Sequence, residues 1–197
     1  MKLGVTGGIG SGKTSVCKVF NVLGIPVFSA DAEARLIMES DSSIIEKVNA
    51  IAGKDMYTNG VLNRDELARL IFNNQDMLNK INQAIHPAVR NNFIQWEKSQ
   101  EADYVILEAA ILFESGAYKI MDRILTVIAP LEERIDRVMK RNNLTKEQIM
   151  ERVGNQSDDN FKISRSDYII DNADNRMIVP EILRIHNEIK EIIKNRK

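Results

Sequence analysis

The apolar positions of this chain fall into short continuous runs, separated by stretches in which they recur every three or four residues. "KLGVT" (2–6), "IPVFSAD" (25–31), "DYVILEAAILF" (103–113), "DRILTVIAP" (122–130) and "SDYIIDN" (166–172) are of the first kind. Runs that are apolar throughout, instead of alternating, predict strands buried on both faces. The second kind predicts helices. Val16, Val19, Phe20 and Leu23 share one face before Gly24 stops the pattern, and Ile135, Val138 and Met139 share one in "LEERIDRVMKRNN". Ile182, Ile185, Ile189 and Ile192 mark a closing helix in residues 177–197. Thr145 with Gln148 forms a capping box that restarts a helix there, and the polar "GNQSDDNFK" after it reads as a mobile connection. Strands alternating with helices imply an α/β fold with a five-stranded parallel sheet. The helically patterned residues 33–102, broken by "GKDMYTNG", are too long for a plain crossover and predict an inserted helical subdomain.

Composition narrows the class. With 197 residues, 44% hydrophobic and 28% charged, the chain fits one globular unit of two or three subdomains. A net charge of −1 lacks the basic footprint of a nucleic-acid binder, so a small-molecule partner is expected. The single cysteine, Cys17, excludes an internal disulfide, suits a reducing compartment and is expected to pack a helix. No apolar run approaches the ~18 residues of a spanning helix. The expectation is a cytoplasmic protein without a membrane partner.

The chemistry is concentrated where the first strand meets the first helix. "GGIGSGKT", Gly7 to Thr14, satisfies Gly-x-x-x-x-Gly-Lys-Thr between a predicted strand and a predicted helix. In that pattern glycines let backbone N–H groups converge on phosphate oxygens. Gly8, Gly10, Ser11, Gly12 and Ser15 are therefore candidate nucleotide ligands, with Lys13 reaching the β- and γ-phosphates and Thr14 offering its hydroxyl to Mg²⁺. A GTPase would add Asp-x-x-Gly and Asn-Lys-x-Asp; neither occurs, and "NKIN" (79–82) and "NQSD" (155–158) each miss the second. A small-molecule kinase and an ATP-gated binding protein both remain compatible with the loop alone.

"TGGIGSGKTSV" followed by "LGIPVFSADAEAR", "LNRDELARLIFNN", "INQAIHPAVR", "VILEAAILFESG", "DRILTVIAPLEERIDRVMKRN" and "SDYIIDN" resembles the dephospho-CoA kinase family over nearly the whole chain. That resemblance implies transfer of the γ-phosphoryl of ATP to the ribose 3′-hydroxyl of dephospho-CoA with Mg²⁺, on a fold like that of nucleoside monophosphate kinases. It implies a nucleotide-binding core of residues 1–32, 103–135 and 163–197, an acceptor-binding subdomain of 33–102 and a lid of 136–162. The partners are then ATP and dephospho-CoA, and the protein is a monomer or weak homo-oligomer.

The remaining candidates combine both sources. Asp31 ends the second predicted strand, where ligands approach an open α/β sheet; the family's matching aspartate is the proposed base, and an N-cap is the structural alternative. Arg35 and His86 match family positions beside the acceptor. Alternatively, Pro87 starts a helix and holds His86 extended before it. Glu108 ends the third strand where an acid organising Mg²⁺ is expected, and Glu114 in "LFE" is a candidate acceptor residue. Arg134, Arg137 and Arg141 are spaced to share a helix face opposite the apolar one, suited to phosphate. By the resemblance, Arg137 and Arg141 contact phosphate or nucleotide, and Gln156 and Asn172 also match, Asn172 near the adenine. Ser29, Glu108, Ala110 and Arg134 stand where the family more often has Asp, Asp, Pro and Gln.

Overall fold

A computed structural model describes residues 1–72, 74–142 and 144–195, so residues 73 and 143 and the last two of the predicted closing helix lie outside the described residues. The chain divides into two compact units, Met1–Ser29 with Ser99–Lys197, and Ala30–Lys98.

The first unit is built on a parallel sheet of β1 (Lys2–Thr6), β2 (Val27–Ser29), β5 (Val105–Glu108), β6 (Arg123–Ile128) and β7 (Tyr168–Asp171), in the order β2-β5-β1-β6-β7. The inner strands β5, β1 and β6 are buried at consecutive residues, as strands covered on both faces must be. Against one face of the sheet, and against each other, pack α1 (Lys13–Val22) and α9 (Val179–Lys194), which bury Val16, Cys17 and Phe20 with Ile182, Ile185 and Ile189 in one cluster. Full burial of an apolar side chain as large as Phe20 contributes about 1.5–3 kcal/mol. Burial and the nearby Glu108 charge raise the Cys17 thiol above its ordinary pKa, while Lys13 opposes the shift, so this cysteine is a packing group and not a nucleophile. The same unit carries α6 (Leu131–Asn142), α7 (Lys146–Gly154) and α8 (Asp159–Ile163). The capping box of Thr145 and Gln148 starts α7 as its sequence requires.

The strand ends matter for function. Val5 and Ser29 each stand level with Glu108 across the sheet, so β1, β2 and β5 finish together. The phosphate loop leaves β1 at that edge, where ligands of open α/β sheets are bound.

The second unit contains α2 (Ala30–Ser40), α3 (Ser42–Ala52), α4 (Arg64–Phe72) and α5 (Gln75–Lys98), with a small hairpin of β3 (Tyr57–Thr58) and β4 (Val61–Leu62). The hairpin was not expected from the apolar pattern. Its turn is Asn59-Gly60, both at positive φ (52° and 78°), as a two-residue turn of the hairpin-favouring hand needs. α5 corrects a second expectation: Pro87 does not start a helix but lies inside a 24-residue one, so His86 is helical. Pro87 has no N–H for the carbonyl one turn back. Ile81, Ile85, Val89 and Phe93 are buried along the helix through that point, and their packing carries it past the proline.

Candidate active site

The phosphate loop is shaped from inside by its own backbone and from outside by α6 and β7. Gly10 and Gly12 adopt left-handed φ of 78° and 93°, a conformation costing other L-residues about 1–2 kcal/mol. Space forbids side chains as well. A Cβ on Gly12 would collide with the Asn172 amide, one on Gly10 with the Arg134 carbonyl, and one on Gly8 with the Arg134 guanidinium. Gly12 is the N-cap of α1, whose first turn has no acidic residue, so its open N–H groups and dipole favour an anion.

Lys13, only 8% exposed, donates to the carbonyls of Gly7 (2.9 Å) and Gly8 (3.2 Å), which holds its ammonium against the loop. The buried Ser11 hydroxyl has no hydrogen-bond partner among the described residues, and neither has Thr6 Oγ1. Unsatisfied buried hydroxyls carry a desolvation cost that a bound phosphate would relieve at Ser11. Thr14 Oγ1 donates to Glu108 Oε1 at 2.8 Å. A hydroxyl and a carboxylate at one strand end form a hard-oxygen donor pair, which fits Mg²⁺ as these ions are bound alongside substrate phosphates. Ser15 follows in the first turn of α1 and is exposed.

The three arginines fall on one side of α6, but that side is not opposite the apolar one as the spacing suggested, and their burial differs. Arg134 is 4% exposed and lies beside Ile135 and Val138 on the buried side of α6, while Arg141 is exposed and donates to Asn142 Oδ1 at 2.7 Å. Met139, expected among the apolar residues, is instead 41% exposed. At 100° per residue, Arg134 falls only 40° from Val138, so its side chain turns inward despite its charge. Arg137 sits between these extremes. Its Nη2 donates to Glu133 Oε2 (3.2 Å), to the Asn172 carbonyl (2.8 Å) and to Asp174 Oδ1, while its buried Nη1 has no partner among the described residues.

Asn172, after β7, donates from Nδ2 to the Ser11 carbonyl at 2.8 Å and so braces the loop directly. Glu114 accepts from the Ser157 N–H at 2.6 Å, ahead of α8. Beside it Lys162 is completely buried and donates to the Ser157 carbonyl; burial lowers its pKa, against the opposing charges of Glu114, Asp159 and Asp158. Two contacts escaped the sequence reading: Arg134 Nε to the Ile9 carbonyl (3.0 Å), and the Ile9 N–H to Gln156 Oε1 (2.9 Å). The helical phase of Arg134 beside Val138 was the available signal.

The second unit holds the other candidates. Asp31 is not an N-cap: α2 begins at Ala30, and Asp31 stands exposed in its first turn, two residues beyond the end of β2. Arg35 is one turn further along and also exposed. His86 is half-buried, and burial together with the Arg90 charge lowers its pKa, keeping it neutral near pH 7.

A family model described as dephospho-CoA kinase matches residues 1–177. A dephospho-CoA kinase of Bacteroides fragilis is 37% identical over 186 residues, covering 94% of this chain and 91% of that protein. One from Porphyromonas gingivalis is 35% identical over 189 residues, covering 95% and 94%. Among solved structures, a dephospho-CoA kinase from Campylobacter jejuni aligns over 100% of both chains with a TM-score of 0.68 and 26% identity. A shikimate kinase from Acinetobacter baumannii aligns over 96% of this chain and 93% of its own at 0.53 and 14%, a likeness of fold alone. This chain belongs to the dephospho-CoA kinase family, whose members use ATP to phosphorylate dephospho-CoA in the synthesis of coenzyme A.

Proposed function

We propose a division of labour for this reaction among the chain's residues. Gly8, Gly10, Ser11, Gly12, Lys13, Thr14 and Ser15 receive the phosphates of ATP, and Thr14 with Glu108 holds Mg²⁺. When bound, that ion neutralises charge on the phosphates. Asp31 orients the ribose 3′-hydroxyl and accepts its proton, and Arg35, His86 and Glu114 bind the acceptor. Arg137 and Arg141 neutralise charge that develops on the transferred group, as cationic clamps do in phosphoryl transfer. Asn172 serves the nucleotide by holding the loop. No covalent enzyme intermediate is formed; the rate comes from positioning and charge neutralisation.

The observation that carries this reading is the 2.8 Å bond from Thr14 to Glu108 beside a loop whose Lys13 is buried against its own carbonyls. The Ser11 hydroxyl and Arg137 Nη1, without a hydrogen-bond partner among the described residues, add polar groups suited to a phosphorylated ligand. In this reading residues 33–102 bind the acceptor and residues 136–162 act as a lid over the nucleotide. The protein works in the cytoplasm as a monomer or weak homo-oligomer and binds no nucleic acid; no helix among the described residues is long and apolar enough to cross a membrane.

The test is an acceptor panel. Mg²⁺-dependent ADP release is expected with dephospho-CoA and not with adenosine, AMP or pantetheine compounds. Equal rates with AMP would remove the assigned acceptor roles.

A further inference from the structure

We propose that Arg134 is a positioning residue for ATP. It grips the outer side of the phosphate loop, fixes the peptide that aims the Gly10 N–H at the phosphates, and ties that peptide to Asp159 at the start of α8. The proposal rests on the reading of Gly7 to Thr14 as the phosphate site.

The geometry begins with one planar guanidinium. Its Nε donates to the Ile9 carbonyl at 3.0 Å and its Nη1 to Asp159 Oδ2 at 2.8 Å, and its plane lies where a Cβ of Gly8 would otherwise project. The Arg134 side chain is 5% exposed. Gly8 has no positive φ, and a Cβ there would push the guanidinium off the loop.

A trans peptide is planar, and its C=O and N–H point in opposite directions. Holding the Ile9 carbonyl outward on Arg134 therefore turns the Gly10 N–H inward, and that N–H makes no hydrogen bond with the described residues. The preceding peptide is gripped in the complementary sense. The Ile9 N–H donates outward to Gln156, and the Gly8 carbonyl faces inward, accepting from the Ser11 N–H (3.1 Å) and Lys13 Nζ (3.2 Å). The Ile9 side chain packs against Ile135, Val138 and Ile149, which closes the outer side of the loop.

Arginine suits this place because its fork addresses two acceptors at fixed angles; a lysine presents one compact ammonium on a flexible stem. Asp159 balances the buried charge and carries the connection to α8, which follows Gln156 by only a few residues.

Three variants separate this role from a purely structural one. In steady-state assays with ATP and dephospho-CoA varied in turn, Arg134→Met is expected to raise the ATP KM by roughly 10- to 100-fold, the scale of a misplaced positioning contact. The dephospho-CoA KM should stay within about twofold, because uniform loss of folded protein alters neither KM. The rise in melting temperature produced by ADP should shrink in parallel. Arg134→Lys should recover part of the loss. If Arg134→Met does not fold, Asp159→Asn keeps the guanidinium and removes its anchor, and the ATP KM should still rise by about threefold or more. An unchanged ATP KM in a folded Arg134→Met or Asp159→Asn protein, or equal rises in both KM values, overturns the proposal. Wild-type turnover of dephospho-CoA checks the reading beneath it, since its absence would fail that reading whatever the variants do.

Discussion

In the unit built on the parallel sheet, the candidate residues are tied to one another; in Ala30–Lys98 they stand on helix surfaces. Lys13 is bonded to loop carbonyls, Thr14 to Glu108, Asn172 to Ser11, and Arg137 to the Asn172–Asp174 turn. Asp31 and Arg35 are exposed on α2, and His86 is half-buried on α5. The contrast teaches how each group acquires its chemistry. A phosphate cradle must exist before the nucleotide arrives, because charge stabilisation depends on donors already in place. An acceptor-orienting carboxylate needs only a defined backbone position and an approaching hydroxyl.

Substitutions on the two sides should therefore fail differently. The largest effect short of the central test falls on Lys13→Ala, expected to lower kcat by about 10² to 10³, the scale for losing one preorganised donor. Folding should be little changed, since the ammonium is held by carbonyls of the loop and not by the apolar core. Circular dichroism with turnover checks this, and near-normal kcat would break the contrast.

Glu108→Gln sharpens the comparison from the same side. It should raise the Mg²⁺ concentration for half-maximal activity by about tenfold, as loss of a supporting carboxylate does at metal sites. The dephospho-CoA KM should hold steady. The measurement is a Mg²⁺ titration of the rate.

The smallest effect is on stability and involves both units. His86 is depressed by burial and by Arg90, His186 by burial and by Lys190. His186 lies in the sheet unit, with Nδ1 2.7 Å from the Tyr104 hydroxyl. Both have folded pKa values below the unfolded value near 6.5, so the unfolded state binds more protons on acidification. Stability should be full above about pH 6.5 and fall as pH drops below that value. Denaturant melts at pH 7.5 and 5.5 measure it, and His86→Gln should remove its own share.

The strands were legible because burial on both faces leaves a continuous apolar signature, as "VILE" and "RILTVI" show. The phosphate loop was legible because its glycine and lysine spacing is dictated by backbone chemistry. The β3–β4 hairpin was not, since two-residue strands carry no period; the Asn59-Gly60 turn was its only mark. Pro87 misled because tertiary burial of α5 outweighs the loss of one backbone hydrogen bond. Arg134 turns inward although it is charged, because its helical phase sets it beside Val138. The loop carbonyl that draws it inward is 125 residues away in sequence. Contacts of such separation leave no local trace.

The central claim is that nucleotide binding and acceptor activation reside on different residues, with Asp31 serving the acceptor. Asp31→Asn tests it most directly, with ATP affinity measured by calorimetry and phosphoryl transfer to dephospho-CoA measured at saturation. The amide preserves shape and can still accept hydrogen bonds, but it cannot take up the hydroxyl proton. The account predicts ATP affinity within about twofold of wild type and kcat lower by about 10² to 10⁴, the range for a positioned acid or base. Full turnover by the folded variant, or a loss confined to ATP affinity, would contradict it.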